Sequence, residues 1–175
     1  MGHPFKHFRT ITRHRHKVIR LCFQAGIGWQ GLRHDLSKYA WSEFAAGTKY
    51  YVGTGSPISA ERKIKGYSEA WLHHKGRNRH HFEYWMYYNS VEQCYQPIKM
   101  PLRFVKEMLC DRIAATMVYN GKNYHDGLPL EYFERKGDGA GMHPQTAALL
   151  HDWLRQVAAT GYRQTLKEVR KIKEY

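Results

Sequence analysis

The stretch from Pro101 to Met117 constrains the fold most. Leu102, Val105, Leu109, Ile113 and Met117 recur every three or four residues behind a proline, the pattern of one buried face on a long helix. Asp111 lies near the middle of that helix. An ionised carboxylate there is costly to bury unless another group compensates its charge. Such a helix needs other apolar helix faces to cover it, and most of the remaining chain reads as helix.

Residues 12–25 carry His14, Val18, Leu21, Cys22 and Ala25 on one face, with Gly26 and Gly28 to end the helix. A second helical stretch is expected around Ser42–Tyr51. A third covers Ser59–Lys75, with Ile64, Tyr67, Ala70, Trp71 and His74 inward and Glu61, Arg62 and Lys65 toward water. Gly76-Arg77-Asn78 interrupts it, and helix resumes over His80–Trp85. Met86–Lys99 reads as a loop, and strands are scarce. Further helices are expected at Pro129–Lys136 and Pro144–Ala159, the latter closed by Gly161, before a basic amphipathic tail over Gln164–Tyr175. The expected architecture is all-α: one helical bundle spanning 1–175, with a core over about 10–161 and a basic helical tail over 162–175.

Twenty-eight Lys and Arg against 15 Asp and Glu leave a formal charge of +13, which favours phosphate-bearing, nucleic-acid or other anionic partners without choosing among them. No apolar run approaches the roughly 20 residues that cross a bilayer, and the basic N-terminal residues from Met1 lack an apolar segment behind them. A cytoplasmic protein without membrane partners is expected. Cys22, Cys94 and Cys110 are odd in number and never paired as CxxC, so all three read as reduced core residues. Phosphate-binding P-loop, dinucleotide-fingerprint, nucleophile-elbow and HExxH patterns are absent.

The histidines carry the chemical signal. There are 12, and they cluster: His34 is followed by Asp35, and His73-His74 and His80-His81 form two doublets seven residues apart. Neutral imidazole combined with carboxylate suits divalent Mn, Fe, Co, Ni or Zn, whereas all-oxygen sets suit Mg or Ca. Neighbours on a regular helix point about 100° apart, so His34 and Asp35 converge only at a helix end or turn. His74 and His81 would lie about 10 Å apart along an unbroken helix, too far to share an ion, and Gly76 and Asn78 supply the break. His14 lies on the stripe of Val18 and Cys22, with His16 two residues on left open as the alternative ligand, and His74, which shares its face with Tyr67, Ala70 and Trp71, is preferred to His73. His80 and His81 are not separable. His3, His7, His125, His143 and His151 read as surface, cap or loop residues. Arg77 and Arg79, between the doublets, could clamp a phosphate bidentately.

This order, His14, then His34-Asp35, then His74 with His80 or His81, then Asp111, resembles the HD superfamily of metal-dependent phosphohydrolases. Within it, the strings HDLSKYAWSEF, GYSEAWLHHKGRNRHHFEYW and EMLCDRIAA are similar to a small bacterial family known only as a domain of unknown function. The resemblance implies one ion on His14, His34, Asp35 and Asp111, or two, with Asp35 bridging and His74 and His80 or His81 completing the second. It also implies that Lys38, three residues past Asp35, holds a phosphate oxygen. The expected function is then hydrolysis of a small phosphoester, foremost a nucleotide. The alternatives are an HD-like di-iron oxygenase and a non-catalytic basic module binding nucleic acid or an acidic protein through the run Arg163, Lys167, Arg170, Lys171 and Lys173. The sequence does not fix the oligomeric state.

Overall fold

A computed structural model describes residues 2–53 and 55–175; Met1, where the basic N-terminal segment begins, and Thr54 lie outside the described residues. The helix that opens the chain starts at a proline: α1 runs Pro4–Gln24, eight residues earlier than expected, because Pro4 is preset for a first turn and the His3 N–H is taken by the Thr48 carbonyl (3.2 Å). A one-turn α2 (Gly28–Gly31) leads into the His34-Asp35 turn, and α3 follows at Trp41–Lys49.

The expected helix 59–75 is two helices, α4 (Pro57–Lys65) and α5 (Glu69–Arg77). Gly66 sits between them at φ 81°, a conformation that favours glycine, and the Ser68 side chain caps α5 by accepting from the Trp71 N–H (3.0 Å). Ala70 and His74 are buried and Arg62 and Lys65 exposed as expected, but the break turns three other side chains over. Ile64 and Tyr67 are exposed, whereas Glu61 is buried and accepts from Ser68 Oγ (2.5 Å) and Lys65 Nζ (3.3 Å).

His80–Trp85 is not a regular helix but an irregular turn with a short 3-10 segment at Phe82–Tyr84. Residues expected as loop form an antiparallel hairpin, β1 (Met86–Asn89) with β2 (Cys94–Pro97), in which Tyr88 faces Tyr95. Cys94 is exposed there, so only Cys22 and Cys110 are core thiols. The long helix α6 (Leu102–Asn120) follows with Pro101 at its N-cap, then α7 (Leu128–Lys136), α8 (Pro144–Thr160) and α9 (Tyr162–Lys171).

The fold is all-α apart from the hairpin. Val105, Leu109 and Ile113 of α6 are fully buried in a core shared with Val18, Leu21 and Cys22 of α1, Leu150, Leu154 and Val157 of α8, and Leu166 and Val169 of α9. Thus α9 contributes to the core on one side and exposes Arg163, Lys167, Arg170 and Lys171 on the other. Helices α3, α4 and α5 pack on one another beside this core. No helix is long and apolar enough among the described residues to cross a membrane.

Candidate metal centre

Four separate pieces of chain converge between α1, α6 and α5. His14 projects from α1 and Asp111 from α6, both on the faces that meet. His34 and Asp35 come from the turn after α2. Asp35 adopts the left-handed conformation (φ 54°, ψ 25°), tolerated by Asp more readily than by most residues, and this turns two sequence neighbours toward one point. His74 lies near the end of α5, and the chain break at Asn78 brings His80 and His81 back over it, with His74 Nε2 and His81 Nε2 2.9 Å apart.

Asp35 is the hub. Its Oδ2 lies 3.3 Å from His34 Nε2 and 3.7 Å from His14 Nε2, while its Oδ1 lies 3.3 Å from His74 Nε2 and 3.6 Å from His80 Nε2. Asp111 Oδ1 stands 3.0 Å from His14 Nε2. These atoms form two sets, His14, His34, Asp35, Asp111 and Asp35, His74, His80, His81, and within each set the donor atoms lie within 4.8 Å of one another. Ligands about 2.1 Å from a tetrahedral ion sit about 3.4 Å apart, so the spacing fits a divalent transition ion.

The hydrogen bonds point the same way. Nε2 of His34 and His80 and Oδ1 of Asp35 are buried without a well-aligned hydrogen bond, while His14 Nε2 has only Asp111 Oδ1 at 3.0 Å and Asp35 Oδ2 only the Lys38 ammonium at 2.5 Å. Such a concentration of orphaned donor atoms is costly unless a cation satisfies them. The opposite ring nitrogens of His34, His80 and His74 are engaged. His34 Nδ1 and His80 Nδ1 face Glu107 Oε1 at 2.8 and 3.2 Å, and His74 Nδ1 and His73 Nδ1 face the two oxygens of Glu43 at 2.8 and 2.6 Å. A carboxylate only accepts, so each of these Nδ1 atoms carries a proton, and Nε2 of His34, His74 and His80 is the nitrogen left to face a cation, the arrangement that metal-bound histidines use. A third grouping, His34, His80 and Glu107, is accounted for by these Nδ1 bonds.

Charge is tightly coupled. Burial opposes ionisation of Asp35, but His34, Lys38 and His74 hold its carboxyl well below the usual range. Burial likewise disfavours a charged His34, yet Asp35, Glu107 and Asp111 push it up to about 10. Glu107 is drawn down to about 2 by His34 and His80 against its burial. Burial and the neighbouring His80 and His74 keep His81 well below its ordinary value. Asp35 and Asp111, two of the groups that raise His34, are the ones a divalent cation at Nε2 would meet in place of a proton.

His14 is buried while His16 is exposed, and both His80 and His81 enter the site. Lys38 is half-buried beside Asp35. Arg77 and Arg79 are not brought to the carboxylates: both are exposed, Arg77 donating to the His73 carbonyl (3.4 Å) and Arg79 lying over the Tyr84 ring. Glu107 and Glu43 were not visible as site residues in the sequence. One signal existed, since Glu107 precedes Asp111 by one helical turn on the same face. His7, expected at the surface, is buried against Phe44 and Tyr51, because α1 begins early enough to carry it under α3.

Fold and site together give a predominantly helical protein with a buried, carboxylate-supported histidine cluster whose donor atoms are spaced so that they could hold a metal ion. The chain belongs to a family of unknown function, DUF5662, whose model matches residues 3–156. Neither a curated protein nor a solved structure matches it.

Proposed function

We propose that the chain is a metal-dependent phosphohydrolase, with the histidine and aspartate order of the HD superfamily, acting on a nucleotide or other small phosphoester. The observation that carries this reading is the convergence of orphaned Nε2 and carboxylate atoms on Asp35 with a lysine ammonium 2.5 Å away. A bound divalent transition ion supplies Lewis acidity toward a phosphoryl oxygen and acidifies water. The protein's part is to hold the ligands in one geometry through Glu107 and Glu43, to orient the attacking water at Asp35, and to pair the Lys38 ammonium with a phosphate oxygen. The surrounding charge of +13 favours anionic substrates.

The test is elemental analysis of protein purified without a histidine tag, then a phosphate-release screen of nucleotides and aryl phosphates with Mn, Co, Ni, Fe and Zn. Asp35→Ala should lose both metal and activity, whereas Lys38→Ala should keep the metal and lose kcat or raise KM. A metal-free wild type whose stability ignores all five ions would overturn the metal site. Bound iron with dioxygen consumption and no phosphate release would replace hydrolase with oxygenase. Tight nucleic-acid binding that survives chelator and Asp35→Ala, falling steeply with salt, would favour the non-catalytic module.

A further inference from the structure

A cavity of about 60 Å³ opens between α1, α3 and α4, and Lys38 lines it. Lys38 is also the residue whose Nζ stands 2.5 Å from Asp35 Oδ2, so cavity and candidate metal centre share one wall. We propose that this cavity holds the organic half of the substrate, a single compact and largely apolar group carrying a hydroxyl. This rests on the phosphohydrolase reading above and names its substrate class: a phosphomonoester of a small alcohol or phenol.

Three observations lead there. The first is position. A phosphate paired with Lys38 beside the ligand cluster directs its single ester substituent along the Lys38 side of the site, and the space on that side is this cavity. The second is size. At roughly 10–15 Å³ of such space per water, the cavity holds about four to six waters, the room of one five- or six-membered ring and not of a base joined to a sugar.

The third is chemistry. Ile11, Ala46, Pro57 and Ile58 make much of the lining apolar. Most polar groups of the wall are already engaged: Thr10 Oγ1 with Tyr51 Oη (3.0 Å), Glu61 with Ser68 and Lys65, and Glu43 with His73 and His74. His7 differs. It lines the cavity, it is 6% exposed, and its Nδ1 is buried without a hydrogen-bond partner. Its seat depends on Gly47, where a Cβ would fall 2.1 Å from His7 Nε2. Burial, reinforced by Lys38, lowers the His7 pKa to about 4, so the ring is neutral near pH 7. A neutral imidazole nitrogen is matched by a hydroxyl, which both donates and accepts, and gains little from a second charged group.

The experiment compares kcat/KM on acetyl phosphate, phenyl phosphate, the hydroxyphenyl phosphates and AMP, using metal-loaded protein. The wild type should prefer a hydroxyphenyl phosphate, with AMP the poorer substrate. Ala46→Leu, which fills the cavity from a helix that accepts leucine, should lower kcat/KM on the phenyl esters at least tenfold relative to acetyl phosphate. His7→Phe should lower it on the preferred hydroxyphenyl ester about tenfold relative to phenyl phosphate. Metal content measured alongside should match the wild type in both variants. Equal losses on all esters, no loss on any, or AMP preferred and indifferent to Ala46→Leu would overturn the proposal.

If no ester is hydrolysed, the hydrolase reading fails by itself. The cavity is then judged by calorimetric binding of the hydroxyphenyl phosphates. Affinity lowered tenfold by Ala46→Leu upholds it; absence of binding, or binding that ignores the substitution, overturns it.

Discussion

Glu107 supports one histidine from each ligand set, which makes its replacement the most informative perturbation of the site. Its Oε1 accepts from His34 Nδ1 at 2.8 Å and faces His80 Nδ1 at 3.2 Å, and its Oε2 accepts from Gln30 Nε2 at 2.5 Å. Glu107→Gln keeps the volume and one carbonyl oxygen. It removes the charge from both imidazole hydrogen bonds, roughly halving the strength of each. It also sets an amide NH₂ against the NH₂ of Gln30, which cannot turn without surrendering its bond to the Arg103 carbonyl (3.2 Å). Loss of such supporting carboxylates weakens metal binding about 10–100-fold, or about 1.4–2.7 kcal/mol. Glutamine should fall near the lower figure and alanine, which leaves two buried N–H groups unpaired, near the upper. Because His34 and His80 belong to different sets, both metal positions should weaken together. Glu43→Gln touches His74 and His73 but no histidine of the His14 set, so it should weaken one position and spare the other. Chelator-competition titrations with Zn and Mn, with stoichiometry from elemental analysis, read this directly. Wild-type affinity in Glu107→Gln, or two equally weakened positions in Glu43→Gln, would refute the assignment of these carboxylates.

Three further outcomes are expected. His7 has a folded pKa near 4 against 6.5 when unfolded, so its contribution is complete above about pH 6.5 and is lost as pH falls toward 4. It amounts to about 3 kcal/mol at most, and chemical denaturation of wild type and His7→Gln across that range should show the difference shrinking; a constant difference would contradict it. Ser68→Ala removes the α5 cap and the hydroxyl bound to Oε2 of the buried Glu61, which should cost about 2–3 kcal/mol in urea unfolding; a loss below about 0.5 kcal/mol would deny the break its structural role. Leu166→Ala should destabilise by about 2–5 kcal/mol, since Leu166 is fully buried on α9. A neutral effect would mean that α9 is dispensable to the core.

The sequence was informative wherever a residue's role follows from the face it shares. His14 lies on the stripe with Val18 and Cys22, and Asp111 stands on a helix whose apolar face needs no alignment to see. The fold obscured what depends on chain breaks and on distant partners. Across Gly66 the apolar spacing of Ile64, Tyr67 and Trp71 continues as if one helix ran through, so periodicity overruled the glycine and misplaced Glu61. In the hairpin, exposed tyrosines give strands without the alternation that a half-buried sheet shows. Glu43 reaches His73 and His74 from 30 and 31 residues away, a pairing that no local pattern contains.

The shared core of α1 and α9 also sets an order of events during synthesis. Val18 and Leu21 share their core with Leu166 and Val169, so its assembly waits for about 145–150 further residues to be made. At 5–20 residues per second, that interval lasts about 7–30 s. All residues of the candidate metal centre emerge earlier, by Asp111, so its ligands meet the cell's cations before the helices that finish the core exist. On the metal-site reading, the ion finally enclosed is selected partly by what is abundant during those seconds, and expression in media of different metal content should change which ion is carried.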